Sequence, residues 1–258
     1  MMKSLLNFIR REGVILLIIK CSDYILRPLG ISFFSYTKFK KHNFFIRKRI
    51  SFKKQNNFNV FENIYNNNYW KINYSKSGAG SEIDQYNFYI TSLRNLLIKL
   101  KINTFLDVPC GDMSWMPHVI KDLNIKYIGG DIVKDLIKKN KIKFPNFNFC
   151  YFDLTRSEFP KVPLIHIRDC LFHFSFLDIQ KVIKNLKQSK IKYVLLTSHK
   201  SFMLKNFNIE TGDFRYLDLE KKPFFFPKPK IRLKDYRLGQ FPRYVNLWSI
   251  KELPSHIL

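Results

Sequence analysis

The sequence predicts a doubly wound α/β domain, a mostly parallel sheet with helices on both faces. Three observations predict it. From residue 86 onward, short β-branched and apolar runs alternate with stretches of helical periodicity, the pattern of crossover connections in a parallel sheet. The ends of successive runs carry polar sets: Asp107 to Asp112, then Asp131, then Asp153, then Arg168, Asp169 and His173. The chain is 258 residues long and 46% hydrophobic, enough to bury one large core with length left over for an appendage.

The elements follow in order. YNFYITSLRNLLIKLKI (86 to 102) spaces Phe88, Leu93, Leu96, Leu97 and Leu100 as a helix face does. TFLDV (104 to 108) reads as a strand, residues 114 to 123 as a helix, KYIGGDI (126 to 132) as a strand and VKDLIKKNKIK (133 to 143) as a helix. FNFCYFDL (147 to 154) and PLIHIR (163 to 168) are strands, LDIQKVIKNLKQS (177 to 189) is a helix, and KYVLLTS (192 to 198) is an apolar strand. Beyond His199, a candidate turn cap or second base, the pattern loosens. Residues 208 to 230 carry Gly212, Pro223, Pro227 and Pro229 and read as a long irregular insert at the carboxyl edge of the sheet, where specificity is shaped. There Asp213 and Arg215 could hold a polar acceptor. Phe224 to Phe226 could stack on a sugar or base, or cover the sheet.

Charge is high and uneven. The formal net charge is +25, which suits phosphate-bearing partners but also follows from a chain rich in Lys, Asn, Ile and Phe throughout. Residues 1 to 55 hold thirteen Lys or Arg against Glu12 and Asp23, a net +11, and form a basic arm. Within it GVILLIIK (13 to 20) is too short to span a bilayer and lacks a signal-peptide cleavage site. Two readings stay open for it: a helix packed on the body of the protein, or one lying on an anionic membrane surface. KKQNN and YNNNY make residues 53 to 76 a polar linker, so the expected division is a basic helical arm and linker at 1–59 and one domain at 60–258. The four cysteines, Cys21, Cys110, Cys150 and Cys170, are scattered and form no CxxC pair. They suggest neither a zinc ribbon nor a disulfide framework, no metal site is expected, and a reducing cytosol fits best.

In a doubly wound domain the ligand lies beyond the carboxyl ends of the strands. Gly111 permits close approach of a ligand, and the amides at the start of the following helix could receive a polar group. Asp131 stands twenty residues beyond Gly111, the distance at which an acid reaches ribose hydroxyls. Asp107 and Asp112 flank the turn, and carboxylates repel a pyrophosphate while attracting a cation. An adenosine ligand with a positively charged amino group or sulfonium fits.

DVPCGDM (107 to 113), GGDIV (129 to 133) and YFDL (151 to 154), in that order and spacing, resemble the cofactor motifs of class I S-adenosylmethionine-dependent methyltransferases, and RDCLFHF (168 to 174) resembles their fourth-strand motif. The resemblance covers roughly residues 60 to 200, and LWSIKEL (247 to 253) is similar to the closing antiparallel strand. It implies a Rossmann-like sheet of about seven strands, an enzyme, and S-adenosylmethionine as cofactor. It places Asp107 near the methionine amino group, Asp131 on the ribose with Ile132 beside it, and Asp153 with Leu154 beside the adenine. Pro109, Cys110, Gly111 and Asp112 form the first turn, and Pro109 and Met113 stand where the family pattern has glycines. SKSGAGSEID (75 to 84) is similar to a loop of related methyltransferases, so Ser77, Gly78 and Gly80 are expected to donate to the cofactor carboxylate.

For the transfer step, Arg168, Asp169 and His173 are the candidates. His173 follows Asp169 by four residues, so a helical segment would let Asp169 orient the imidazole. The expected acceptor is a hydroxyl of a sugar, a lipid-linked glycan or a small metabolite, with peripheral contact between residues 1–55 and an anionic membrane. RNA is the alternative acceptor, less favoured, and a non-catalytic adenosine-binding scaffold is the alternative of another class.

Overall fold

The computed structural model describes residues 55–67, 83–201, 204–236 and 241–255, with side chains from residue 88 onward in the second stretch. The basic arm and the loop holding Ser77, Gly78 and Gly80 lie outside the described residues.

Helix α1 spans Asn57–Asn66, α2 Ile83–Lys99, α3 Met116–Ile120, α4 Lys134–Lys143 and α5 Phe176–Gln188. The strands are β1 Thr104–Asp107, β2 Lys126–Asp131, β3 Asn148–Tyr151, β4 Leu164–Ile167, β5 Tyr193–His199, β6 Ile231–Lys234 and β7 Arg243–Ser249. They form one seven-stranded sheet in the order β3-β2-β1-β4-β5-β7-β6. β1 to β5 run parallel, and β7 is antiparallel to both β5 and β6.

The central strands are apolar because both faces are covered. Phe105, Tyr127, Leu164, Leu195 and Val245 face α2 and α3, where Leu93, Leu97, Met116 and Val119 complete one core layer. Leu106, Ile165, Ile167, Leu196 and Trp248 face α5 and the insert, joined by Ile179, Val182, Phe224 and Phe226. At Gly130 the layers leave no room for a side chain. A Cβ there would lie 2.7 Å from Val108 and 2.8 Å from Phe152.

Several sequence expectations need correction. Phe88 is 68% exposed; the buried face of α2 is made by Tyr89, Ile90, Leu93, Leu96 and Leu97, one step round the helix. The linker expected at 53 to 76 holds α1, started by the Asn56 side chain accepting from the Asn59 amide at 2.9 Å and seated through Val60, Ile64 and Tyr65. That helix runs through position 60. The helix expected at 114 to 123 is only the five residues of α3, bounded by left-handed backbone at Met113 (φ 60) and Asp122 (φ 58). The closing strand begins at Arg243, not Leu247, and residues 250 to 252 turn into a 3₁₀ helix. β6 was not foreseen. The insert contains no helix or strand among its described residues. Phe224 and Phe226 are buried in the core, so they cover the sheet; only Phe225 projects, 65% exposed.

Candidate active site

The turn after β1 is where the first expected site residues fall. Val108 and cis-Pro109 lead into Cys110, whose amide donates to the Gly130 carbonyl at 2.8 Å. This ties the turn to β2. Gly111 adopts φ 57, a left-handed conformation that glycine takes without strain. Its carbonyl accepts from the Asn140 side chain at 2.7 Å, and its amide donates to Asp131 Oδ2 at 3.2 Å. Asp112 accepts from the Ser114 amide at 3.1 Å and so closes the next turn on itself. Cys110 is buried, which pushes its thiol well above the usual range.

Asp131 is therefore brought to the first turn. Its other oxygen accepts from the Val133 amide at 3.0 Å. Burial raises its carboxyl to about 6, against the opposing effect of the Val133, Gly111 and Ile132 amides. A buried carboxylate held only by backbone amides keeps lone pairs for hydroxyl donors. Ile132 lies against Tyr65, Val133 and Leu136, with Phe61 of α1 beside it. Phe61 also meets Phe174 past β4, with ring centroids 5.5 Å apart. One helix thus touches the loops after both β2 and β4.

Asp153 is buried beyond β3, and its Oδ1 caps its own turn, accepting from the Thr155 amide at 2.9 Å and hydroxyl at 2.6 Å. Arg156 approaches Oδ2 at 3.2 Å. Leu154 is core.

Asp107 has an interior role. Tyr127 donates to Oδ2 at 2.8 Å, and His166 Nδ1 donates to Oδ1 at 2.6 Å. The carboxylate fixes the tautomer, so His166 Nε2 accepts from the Tyr89 hydroxyl at 2.7 Å. His166 is wholly buried, and this chain satisfies each of its ring nitrogens.

Arg168 is also buried. Its Nε and Nη2 donate to Asp235 at 2.9 and 3.0 Å, while the guanidinium lies 5.0 Å from the Tyr89 ring centre and 5.1 Å from that of Trp115. Burial alone would lower its pKa, but Asp235 and Asp169 hold it more firmly protonated than usual. Asp169, at φ 53, accepts from Arg243 Nη1 at 3.0 Å, and its amide donates to the Thr197 hydroxyl at 2.8 Å. Burial works to raise the Asp169 carboxyl, but Arg243 and Arg168 outweigh it and hold it below the ordinary range.

The expected hydrogen bond from His173 to Asp169 is not formed. Residues 171 to 173 make a 3₁₀ turn rather than an α-helix, so positions four apart do not stack. His173 Nδ1 instead donates to the Asp213 carbonyl at 2.8 Å. In the neutral ring this leaves Nε2 as the nitrogen able to take a proton. His199 is pushed down to about 3, first by burial and then by Arg243, and its Nδ1 accepts from the Leu217 amide at 3.2 Å, a turn contact.

Sequence reasoning missed Tyr89, Trp115, Tyr127, His166, Asp235 and Arg243. The one signal available was His166, a lone polar residue inside the apolar strand LIHI, which burial obliges to find partners.

No family model and no curated protein matches the chain. Among solved structures it is similar to magnesium protoporphyrin IX methyltransferase (ChlM) from Synechocystis PCC 6803 with bound SAM, at TM-score 0.52 and 10% identity over 76% of this chain and 99% of that one. The same enzyme with bound SAH gives TM-score 0.49 and 13% identity, over 74% and 93%. The PH0226 protein from Pyrococcus horikoshii OT3 gives 0.47 and 18%, over 64% and 90%. The first similarity and the strand order show the fold: a Rossmann-like α/β sheet shared with that methyltransferase structure.

Proposed function

We propose that the chain is an S-adenosylmethionine-dependent methyltransferase acting on a hydroxyl of a sugar, a lipid-linked glycan or a small metabolite. The observation that carries the reading is the 3.2 Å contact between the Gly111 amide and the Asp131 carboxylate, which joins the β1 turn to the β2 acid at the carboxyl edge of the sheet. The donor set suits the cofactor. Asp131 would accept from ribose hydroxyls, Ile132 and Leu154 would border the adenine, and Asp153 would sit at its rim. Asp112 and Asp107 make the turn hospitable to a cationic amino group and hostile to a pyrophosphate, with Asp107 acting mainly through the network that fixes β1. Ser77, Gly78 and Gly80 stand as the proposed donors to the cofactor carboxylate.

When bound, the cofactor supplies an electrophilic methyl group on a sulfonium. His173 is the proposed base: its Nε2 takes the proton from the acceptor hydroxyl while Nδ1 stays bonded to the Asp213 carbonyl. Arg168 and Asp169 are positioning residues, since their charged groups are turned to Asp235 and Arg243.

Calorimetric titration of the full chain with S-adenosylhomocysteine, NAD and ATP tests the reading. Binding of the first alone is expected, weakened by about 1 to 3 kcal/mol in Asp131→Ala, which leaves ribose hydroxyls unpaired. Binding of NAD instead, or unchanged affinity in the variant, removes it.

A further inference from the structure

We propose that the insert carries an oxyanion-binding site centred on Arg215, which receives a carboxylate or phosphate group of the methyl acceptor. The assignment to an acceptor rests on the methyltransferase reading; the anion site itself does not.

Arg215 is fully buried. Its Nη1 donates to the Phe174 carbonyl at 2.6 Å, and the guanidinium lies 5.1 Å from the Phe176 ring centre. The other edge, formed by Nε and Nη2, is buried and makes no hydrogen bond. Arg168 supplies the internal comparison: its Nε and Nη2 edge grips Asp235 with both donors. Both arginines are buried; Arg168 meets the Asp235 carboxylate on that edge and Asp169 nearby, whereas the same edge of Arg215 meets no partner. Burial accordingly lowers Arg215 to about 9, with no acid offsetting it, whereas Arg168 is raised. Burying a guanidinium without a counter-charge is among the costliest arrangements available to the side chain. An oxyanion that offers two oxygens side by side, a carboxylate or a phosphate, is the group that this edge is shaped to accept.

Place in the fold says which molecule would bring the anion. Residues 211 to 215 are laced to the turn that holds the proposed base. Gly212 N donates to the His173 carbonyl at 2.8 Å, and Ser175 N donates to the Thr211 hydroxyl at 2.9 Å. The Arg215 amide donates to Phe172 O at 3.1 Å and its side chain to Phe174 O, one residue on either side of His173. An acceptor held at Arg215 by its anionic group would keep its hydroxyl beside His173. The acceptor class is thereby narrowed from any hydroxyl compound to one that also bears a carboxylate or a phosphate.

The test is thermal unfolding of the full chain in sodium acetate, in inorganic phosphate and in sodium chloride at matched ionic strength. At least one oxyanion should raise the midpoint saturably beyond chloride; acetate alone points to a carboxylate, and phosphate alone to a phosphate ester. Arg215→Gln should abolish the excess while S-adenosylhomocysteine affinity stays within about twofold of the wild type. If that variant does not fold, arginine Nε–H resonances of the wild type decide. Arg168 and Arg215 are the buried arginines among the described residues, and the resonance of Arg215 should shift on titration while that of Arg168 stays still. Neither oxyanion exceeding chloride, an undiminished excess in Arg215→Gln, or no moving shielded resonance overturns the proposal. If the wild type responds to the oxyanion and ignores S-adenosylhomocysteine, the anion site stands and the methyltransferase reading falls.

Discussion

Asp131 should make cofactor affinity depend on pH. Burial raises its carboxyl from 3.8 to about 6, and ribose hydroxyls donate best to the ionised form. At pH 5 only about one tenth of the folded chains carry the charge, so S-adenosylhomocysteine should bind about tenfold more weakly than at pH 7.5, or about 1.4 kcal/mol. Stability should move in the opposite sense. The folded state binds this proton more tightly than the unfolded chain does, so the ionised group costs stability. That cost is absent below about pH 4, grows through the interval and is complete above about pH 6, reaching about 3 kcal/mol. Asp131→Asn removes the titration. Its affinity should be low and level from pH 5 to 8, and its stability relative to the wild type should improve between pH 4 and pH 7.5. Calorimetry and urea unfolding across that range read both effects. A level wild-type affinity, or the same slope in Asp131→Asn, would refute the assignment of Asp131 to the ribose.

Four other outcomes are expected. His173→Ala should slow methyl transfer from labelled cofactor to a panel of hydroxylated acceptors by about 10² to 10⁴, with S-adenosylhomocysteine affinity unchanged; equal loss of both would make His173 structural. His166→Ala strands the buried Asp107 carboxylate with Tyr127 alone and should cost about 3 to 5 kcal/mol in urea unfolding; a cost under about 1 kcal/mol would mean that the carboxylate is solvated. Gly212 has φ 105 and bonds the His173 carbonyl, so Gly212→Ala should lower turnover, whereas Asp213→Asn keeps the backbone carbonyl that orients His173 and should spare it; the reverse ranking of turnover sinks this account. A chain starting at Asn56 keeps the α1 cap and should still bind S-adenosylhomocysteine, while only the full chain sediments with anionic vesicles and is released by salt; equal sedimentation with neutral vesicles rules out the charged arm as anchor.

What was legible in the sequence was local. The five parallel strands and the helices between them are written as apolar runs and 3.6-residue spacing, and β1 to β5 fall within the expected stretches to within a residue at most. That Gly111 and Asp131 both fall at the carboxyl edge of neighbouring strands was legible, because each follows an apolar run at its end; their direct contact was not. β6 was not, for IRLK is four residues with one buried side chain, too short for a period to register. α1 hid behind its asparagines, although Asn56 as cap with Val60 and Ile64 a turn apart was a readable signal. The partners of the buried charges were beyond reach. Asp235 lies 67 residues from Arg168, Arg243 lies 74 from Asp169, and only the folded sheet selects which carboxylate meets which guanidinium.

The divergence of Asp169 and His173 has a consequence for specificity. At φ 53 the backbone of Asp169 sends its carboxylate toward Arg243 on β7, into the sheet's own charge network. The 3₁₀ turn then carries His173 the other way, to the insert. The proposed base is thus oriented by the most irregular part of the fold, through a main-chain carbonyl that any residue at 213 would provide. The proposed cofactor residues sit on strand ends whose geometry the sheet dictates, whereas the turn of the proposed base is bonded to the same strap that carries Arg215. A change in the insert's path would move base and anion site together and leave the Gly111 to Asp131 contact untouched. Acceptor choice and cofactor binding can therefore vary separately in this fold, because different elements hold them.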